Sequence, residues 1–323
     1  MASSTETVLD AVGNPTDRTL FYAAIVVGAL LIWGVTFLVN TFWIKVLYSL
    51  YMFVALAAAW NYLSGYTGYP TFGPMMFIGI GAYGTVFFSI HMNFPWYAAL
   101  AGAAIVGVVA AAITGFILLR LNGIYFAIGT LLFAEAVHEA ILIEDNLLGG
   151  SGGVNLSGTS LTVTYLLFAA LALVSIVVTY ETATRTFGLR MLAIREDEEA
   201  LRAVGVNPLK YKMSAFCVHG LLTTLTGGAF ALSLGFVFPG TVFSVDITIT
   251  LILIAILGGI GTVWGPVLGA LVLIPMQELL WLEFPNLNLI LLGLFLVLVI
   301  VQMPEGIISK LKDMEVLPRT RQI

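Results

Sequence analysis

Apolar runs of about twenty residues recur along the chain, and each has the length a helix needs to cross a bilayer. With 60% of residues hydrophobic and 10% charged, no ordinary soluble domain can be assembled around them. Membrane β-barrels need strands that alternate apolar and polar, and these runs do not alternate. The predicted fold class is an all-α polytopic membrane protein of about ten transmembrane helices.

One strongly polar stretch interrupts this pattern, ETATRTFGLRMLAIREDEEALRAVGVNPLKYKMSAF at 181–216. It holds Arg185, Arg190, Arg195, Arg202, Lys210 and Lys212, nearly half of the 13 basic residues. Such a block cannot lie in hydrocarbon, and a loop this basic is expected to face the cytoplasm. Its spacing predicts one short helix over 195–205. Glu196, Asp197, Glu198 and Glu199 fill the first turn, against the positive end of the helix dipole. Arg202 stands near the last turn, Gly205 ends the helix, and Asn207-Pro208 cannot continue it. Ile194, Leu201 and Val204, with Ala200 and Ala203, leave a narrow apolar stripe. Two readings stand: a solvated linker helix, or a helix shaped to dock in another protein's groove.

Before the first apolar run, residues 1–19 are polar, lack a basic leader and read as a tail. Spans are predicted over Leu20–Val39 and Ile44–Leu63, and then from Met75 to Ile90. Between the last two lies Asn61–Pro74, whose glycines and two prolines predict irregular backbone, tolerated at membrane depth only against protein or a water-filled cavity. Gly65, Tyr66, Thr67, Gly68 and Gly73 are therefore candidate gate or pathway residues. Further spans run from Pro95 to Leu119 and from Tyr125 past Glu139. Glu135 lies roughly 18 Å along that helix from Gly123, inside a core about 30 Å thick. A carboxylate there is costly, so it either lines the pathway, bonds across a subunit interface, or makes a structural polar contact. His138 and Glu139 read as outer-interface residues.

The loop 144–160 carries Gly149-Gly150-Ser151-Gly152-Gly153 but no lysine after it, so it is not a phosphate loop; it reads as a flexible rim loop or as backbone amides lining the substrate entrance. Spans follow over Leu161–Thr179, Met213–Phe236 and Asp246–Leu257, and the last reaches GGIGTVWGPVLGA at 258–270. Gly258, Gly259, Gly261, Thr262, Gly265 and Pro266 predict a turn in which backbones approach closely, as tight packing or as a moving gate. A ninth span follows that turn and the tenth is Leu287–Val301, after which 304–323 form a tail carrying Lys310, Lys312, Arg319 and Arg321.

Two segments resemble the branched-chain amino acid ABC transporter permeases of the LivM type. One is the polar stretch, through Arg185, Phe187, Gly188, Ala193, Ile194, Arg195, Glu196, Glu198, Ala200, Ala203, Gly205, Lys212, Ala215 and Phe216, with Leu201 where that family has Ala. The other is the Gly258–Ala270 turn, supported by Gly65-Tyr66-Thr67-Gly68, Gly79-Ile80-Gly81-Ala82-Tyr83 and the Tyr125-Phe126-Ala127 run ahead of Glu135. The resemblance implies a permease domain over 20–303 whose coupling loop, 181–212, is moved by partner ATPases. Arg195 to Leu201 and Gly205 would then touch the ATPases. It also implies partners: a second, LivH-type permease, two cytoplasmic LivG/LivF-type ATPases that hold ATP and Mg, and an extracytoplasmic binding protein. Branched-chain or other neutral amino acids are the implied solutes, with urea or short amides as the alternative.

Ten spans would put both termini and the coupling loop in the cytoplasm. Basic residues would fall inward at Arg18, Arg120, the loop and the tail, leaving Lys45 outside, with Glu144, Asp145, Asp246 and Glu283 also outside. The chain would then sit in the cell membrane as two five-span halves, a division that suggests inverted repeats. No nucleotide-binding lysine motif, hydrolase serine turn or metal spacing for His91, His138 and His219 is present, so no enzyme, cofactor or metal is expected in this chain, and its charge gives no stripe for nucleic acid. A secondary transporter using Glu135 and His138 as a proton relay is a further alternative.

Overall fold

The computed structural model describes residues 15–35, 41–283, 287, 290, 293–294 and 306–313. Helices α1 (Pro15–Val35), α2 (Thr41–Trp60), α3 (Pro74–Ile90), α4 (Trp96–Leu118) and α5 (Ile124–Ile143) make the first part. A short α6 (Asp145–Leu148) and a two-residue strand β1 (Val154–Asn155) lead to α7 (Leu161–Ala183). Next come α8 (Thr186–Glu196), α9 (Glu198–Ala203) and α10 (Pro208–Leu234), then β2 (Phe236–Val237) and α11 (Pro239–Val242). The described chain closes with α12 (Val245–Gly258), α13 (Gly265–Glu283) and α14 (Gly306–Asp313).

The protein is all-helical apart from one ribbon in which β1 pairs antiparallel with β2, Val154 against Val237. Among the described residues six helices are long and apolar enough to cross a membrane: Trp43–Gly65, Trp96–Leu118, Ile124–Ile143, Leu161–Ala183, Pro208–Leu234 and Pro239–Gly258. Pro74–Ile90 and Gly265–Leu280 are apolar but shorter. The predicted span 287–301 lies almost wholly outside the described residues.

Burial ranks the helices. In α10, 72% of the apolar window is buried, against 22% in α5, so α10 is the axis of the bundle and α5 its rim. Small residues allow the close approach: a Cβ on Gly227 of α10 would lie 2.2 Å from the Ile78 carbonyl oxygen of α3.

Three boundaries differ from the sequence expectation. Helix α7 runs on to Ala183, carrying Glu181 into the helix. Helix α10 starts at Pro208, because the Asn207 side chain accepts from Leu209 N at 3.1 Å and Pro208 suits a first helical position. Lys210 and Lys212 thus belong to a helix. The third change is at Asp197. The single helix over 195–205 is instead two, α8 and α9, with extended backbone between them (φ −158°, ψ 104°). Asp197 Oδ1 accepts from Glu199 N and Ala200 N, both at 2.9 Å, so Asp197 is the cap and Glu196 the last residue of the helix before. The apolar stripe is divided as well: Ile194 is buried under α8, whereas Val204 stands 74% exposed.

Candidate functional site: a junction of four segments

The last turn of α2 widens into a π-helix, Asn61–Gly65, all five residues of which are buried. Widened turns of this kind displace side chains out of the regular helical register and recur at functional sites. Here the displaced residue is Asn61. Its Nδ2 donates to the Thr262 carbonyl at 2.7 Å and its Oδ1 accepts from Gly261 N at 2.8 Å. One buried amide thus satisfies both a donor and an acceptor of the Gly258–Gly265 turn.

That turn is built for contact. Gly259 and Gly261 have φ of 124° and 79°, conformations open to glycine, and a Cβ on Gly258 would lie 1.7 Å from the Gly265 carbonyl oxygen. Thr262 Oγ1 donates to Gly259 O at 2.8 Å and accepts from Gly265 N at 3.1 Å, bracing the turn before Pro266 begins α13.

The segment after the π-helix folds back on it. Gly68 N donates to Ser64 O, Thr67 Oγ1 to Leu63 O and Trp60 Nε1 to Thr71 O. Tyr66 and Thr67 are buried, and Gly73, ahead of α3, lies against Thr130 of α5.

The fourth segment is the start of the coupling stretch. Arg195 donates from Nη1 to the Gly65 carbonyl at 2.8 Å. Its side chain fills the space a Cβ on Gly261 would need, 2.8 Å from Nη1, and its stem borders Gly68, 3.0 Å from a Cβ there. Arg195, a candidate ATPase contact, is thus an exposed residue that is also bonded to the junction.

Glu198 also turns inward. Its carboxylate accepts from Lys212 Nζ at 3.0 and 3.1 Å, from Arg202 at 2.6 Å and from the Tyr69 hydroxyl at 2.5 Å. Lys212 is 2% exposed and donates as well to Tyr69 Oη at 2.9 Å. Burial pushes the Glu198 carboxyl up. The bonds from Tyr69 and Lys212, with the charges of Lys212 and Arg202, outweigh that and hold it below the usual carboxylate range. Burial and the bond to Glu198 push the Tyr69 phenol up, so it remains a donor.

The junction thus gathers Gly65, Tyr66, Thr67, Gly68, Gly258, Gly259, Gly261, Thr262, Gly265 and Pro266 around Arg195. Gly73 adjoins it. Glu196, Asp197, Glu199, Ala200 and Gly205 stay on the surface, and Leu201 is half-buried. Glu135 is not part of the junction: it lies on α5 beside His138, whose Nδ1 is 3.4 Å from its carboxylate, with its side chain 44% exposed. Sequence reading left Asn61, Tyr69 and Lys212 off the site. Asn61 had a signal, as an amide at the end of an apolar run that must find partners.

Residues 42–300 match the family described as branched-chain amino acid transport system / permease component. The chain belongs to that family. Over 92% of its length and 76% of theirs, this permease is 26% identical to the high-affinity branched-chain amino acid transport system permease protein LivM of Escherichia coli K12 and 27% to that of Salmonella typhimurium. A local match, 33% identical over 28% of the chain, links it to the xylose transport system permease protein XylH of Escherichia coli K12, covering 24% of that protein. No solved structure matches the chain. Family and apolar helices together make it a multi-pass membrane permease.

Proposed function

We propose that the chain is the membrane subunit of an ABC importer that carries branched-chain amino acids and is driven by partner ATPases through 181–212. Its partners in this reading are a second, homologous permease, two cytoplasmic ATPases that bind ATP and Mg, and an extracytoplasmic binding protein. The chain crosses the membrane ten times as two five-span halves, with both ends and the coupling loop in the cytoplasm.

The observation that carries the reading is the Arg195–Gly65 hydrogen bond. It ties the end of α8, which leads through Asp197 into the exposed helix α9, to the π-helix and glycine turn at the foot of α2, α12 and α13. A push on α9 reaches Glu198 and Arg195 and through them the backbone of both gate segments. The bundle then moves by rearrangement of packed units, since closely packed helices do not deform continuously.

Reconstitution of the permease with its partners in proteoliposomes tests this. Arg195→Met is expected to leave assembly and ATP hydrolysis in place and to lower leucine uptake per ATP by about tenfold. Val204→Asp, exposed just past the end of α9, is expected to weaken ATPase association itself. Uptake that survives both substitutions, or that collapses with the proton gradient while ATP persists, overturns the coupling reading.

A further inference from the structure

Away from the junction, α2 and α13 part to leave a cleft of about 330 Å³ lined by Ser49, Phe53, Ile274, Gln277 and Glu278. The volume is that of a small-molecule site. Because Asn61 at the end of α2 meets Gly261 and Thr262 just before α13, the two helices run antiparallel and the cleft lies toward their opposite ends. Glu278 is 13 residues past Gly265. At 1.5 Å per residue that is roughly 20 Å along the helix, within a hydrocarbon core about 30 Å thick.

Glu278 has no hydrogen-bond or ion-pair partner among the described residues. A carboxylate with no partner among the described residues is costly against lipid at that depth, and water or a polar solute on this side of the helix pair matches it best. Lys45 stands on the same stripe of α2 as Ser49 and Phe53, at four-residue steps, one turn nearer the helix start. It too is exposed and has no partner among the described residues. The cleft therefore offers an anionic group, a cationic group beyond it, an amide and a hydroxyl, and an apolar floor of Phe53 and Ile274.

We propose that this cleft is a zwitterion subsite of the transport path. Glu278 takes the ammonium of an α-amino acid, Lys45 takes its carboxylate, and Phe53 and Ile274 take an aliphatic side chain. The subsite rests on the reading of the chain as an amino acid permease and assigns part of its substrate recognition. The opposed charges favour neutral amino acids over amines or acids, each of which leaves one charge unmatched, and over sugars, which leave both.

The test places a cysteine in the cleft, Ser49→Cys in a Cys217→Ser background, in membranes that hold the full transport complex. A water-soluble thiol reagent is expected to label it, and millimolar leucine to slow labelling. N-acetyl-leucine lacks the ammonium and leucinamide the carboxylate, so each is expected to protect about tenfold less well. Glu278→Gln in the same background is expected to abolish protection by leucine while leaving labelling intact. A cysteine inert to aqueous reagent, or protection equal for leucine and N-acetyl-leucine, overturns the subsite. Uptake separates the two claims. If the unaltered complex imports leucine and Glu278→Gln imports it equally well, the subsite fails and the permease reading stands. If leucine protects the cysteine but is not imported, the subsite stands and that reading fails.

Discussion

The helices α2 and α13 meet the rest of the molecule very differently at their two ends. At one end Asn61, Arg195, Thr262 and the glycine turn exchange hydrogen bonds, with the buried Tyr66 hydroxyl as the polar group left over. At the other, Lys45 and Glu278 stand without partners among the described residues, Glu278 lining a cleft and Lys45 one turn beyond it. A saturated end transmits force, because any displacement breaks several bonds at once. An unsaturated end has free energy to gain from a ligand that supplies what is missing. One helix pair thus carries a stiff linkage and the proposed receptive site, roughly 20 Å apart along α13.

Substitutions at the saturated end should cost most. Gly258→Ala sets a methyl 1.7 Å from the Gly265 carbonyl, backbone that cannot swing aside. We expect a loss on the order of 3 kcal/mol, seen as a lower unfolding midpoint in detergent, and a glycine turn that tolerates alanine breaks the contrast. Lys212→Met comes next. It leaves Glu198 half-enclosed with its principal counter-charge gone, for about 3 kcal/mol by the same measurement. The double variant with Glu198→Gln should recover part of that loss, since no unpaired charge then remains. Asn61→Ala strands the Gly261 N–H and the Thr262 carbonyl, and about 2 kcal/mol is expected. At the unsaturated end, Glu278→Gln should move the midpoint little and raise it if anything, because an unpaired charge is removed.

Much of this was legible in the sequence and some was not, for physical reasons. The helical membrane class followed from run length alone, and the Gly258–Pro266 turn from glycine spacing, since both are local properties. The break at Asp197 was not legible. Asp197, Glu198 and Glu199 are all acceptable in a first helical turn, and the choice of cap fell to Ile194 and Met191, whose burial beneath α8 fixes where that helix must end. Arg195 was read as outward because a basic residue in a polar loop ordinarily is. Only the fold brings the Gly65 carbonyl, 130 residues away in sequence, within its reach. Lys212 and Tyr69 form a pair 143 residues apart in sequence, beyond any local pattern.

The smallest effect sharpens the comparison through pH. Burial raises the Glu198 carboxyl, but Tyr69, Lys212 and Arg202 more than offset it, so its folded value lies below the unfolded one. A group depressed in this way contributes stability that is full above the unfolded carboxylate value, about 4.3, and is lost as pH falls through the lower folded value. Amide exchange of 198–204 should therefore be insensitive to this group from neutral pH down to about 5 and lose protection in more acid solution. Glu198→Gln should remove that acid limb while leaving the 254–258 amides, which depend on no carboxylate here, with the same profile. An acid limb that survives Glu198→Gln would place the titrating group elsewhere. The saturated end would then owe its stiffness to the Asn61 and Arg195 bonds alone.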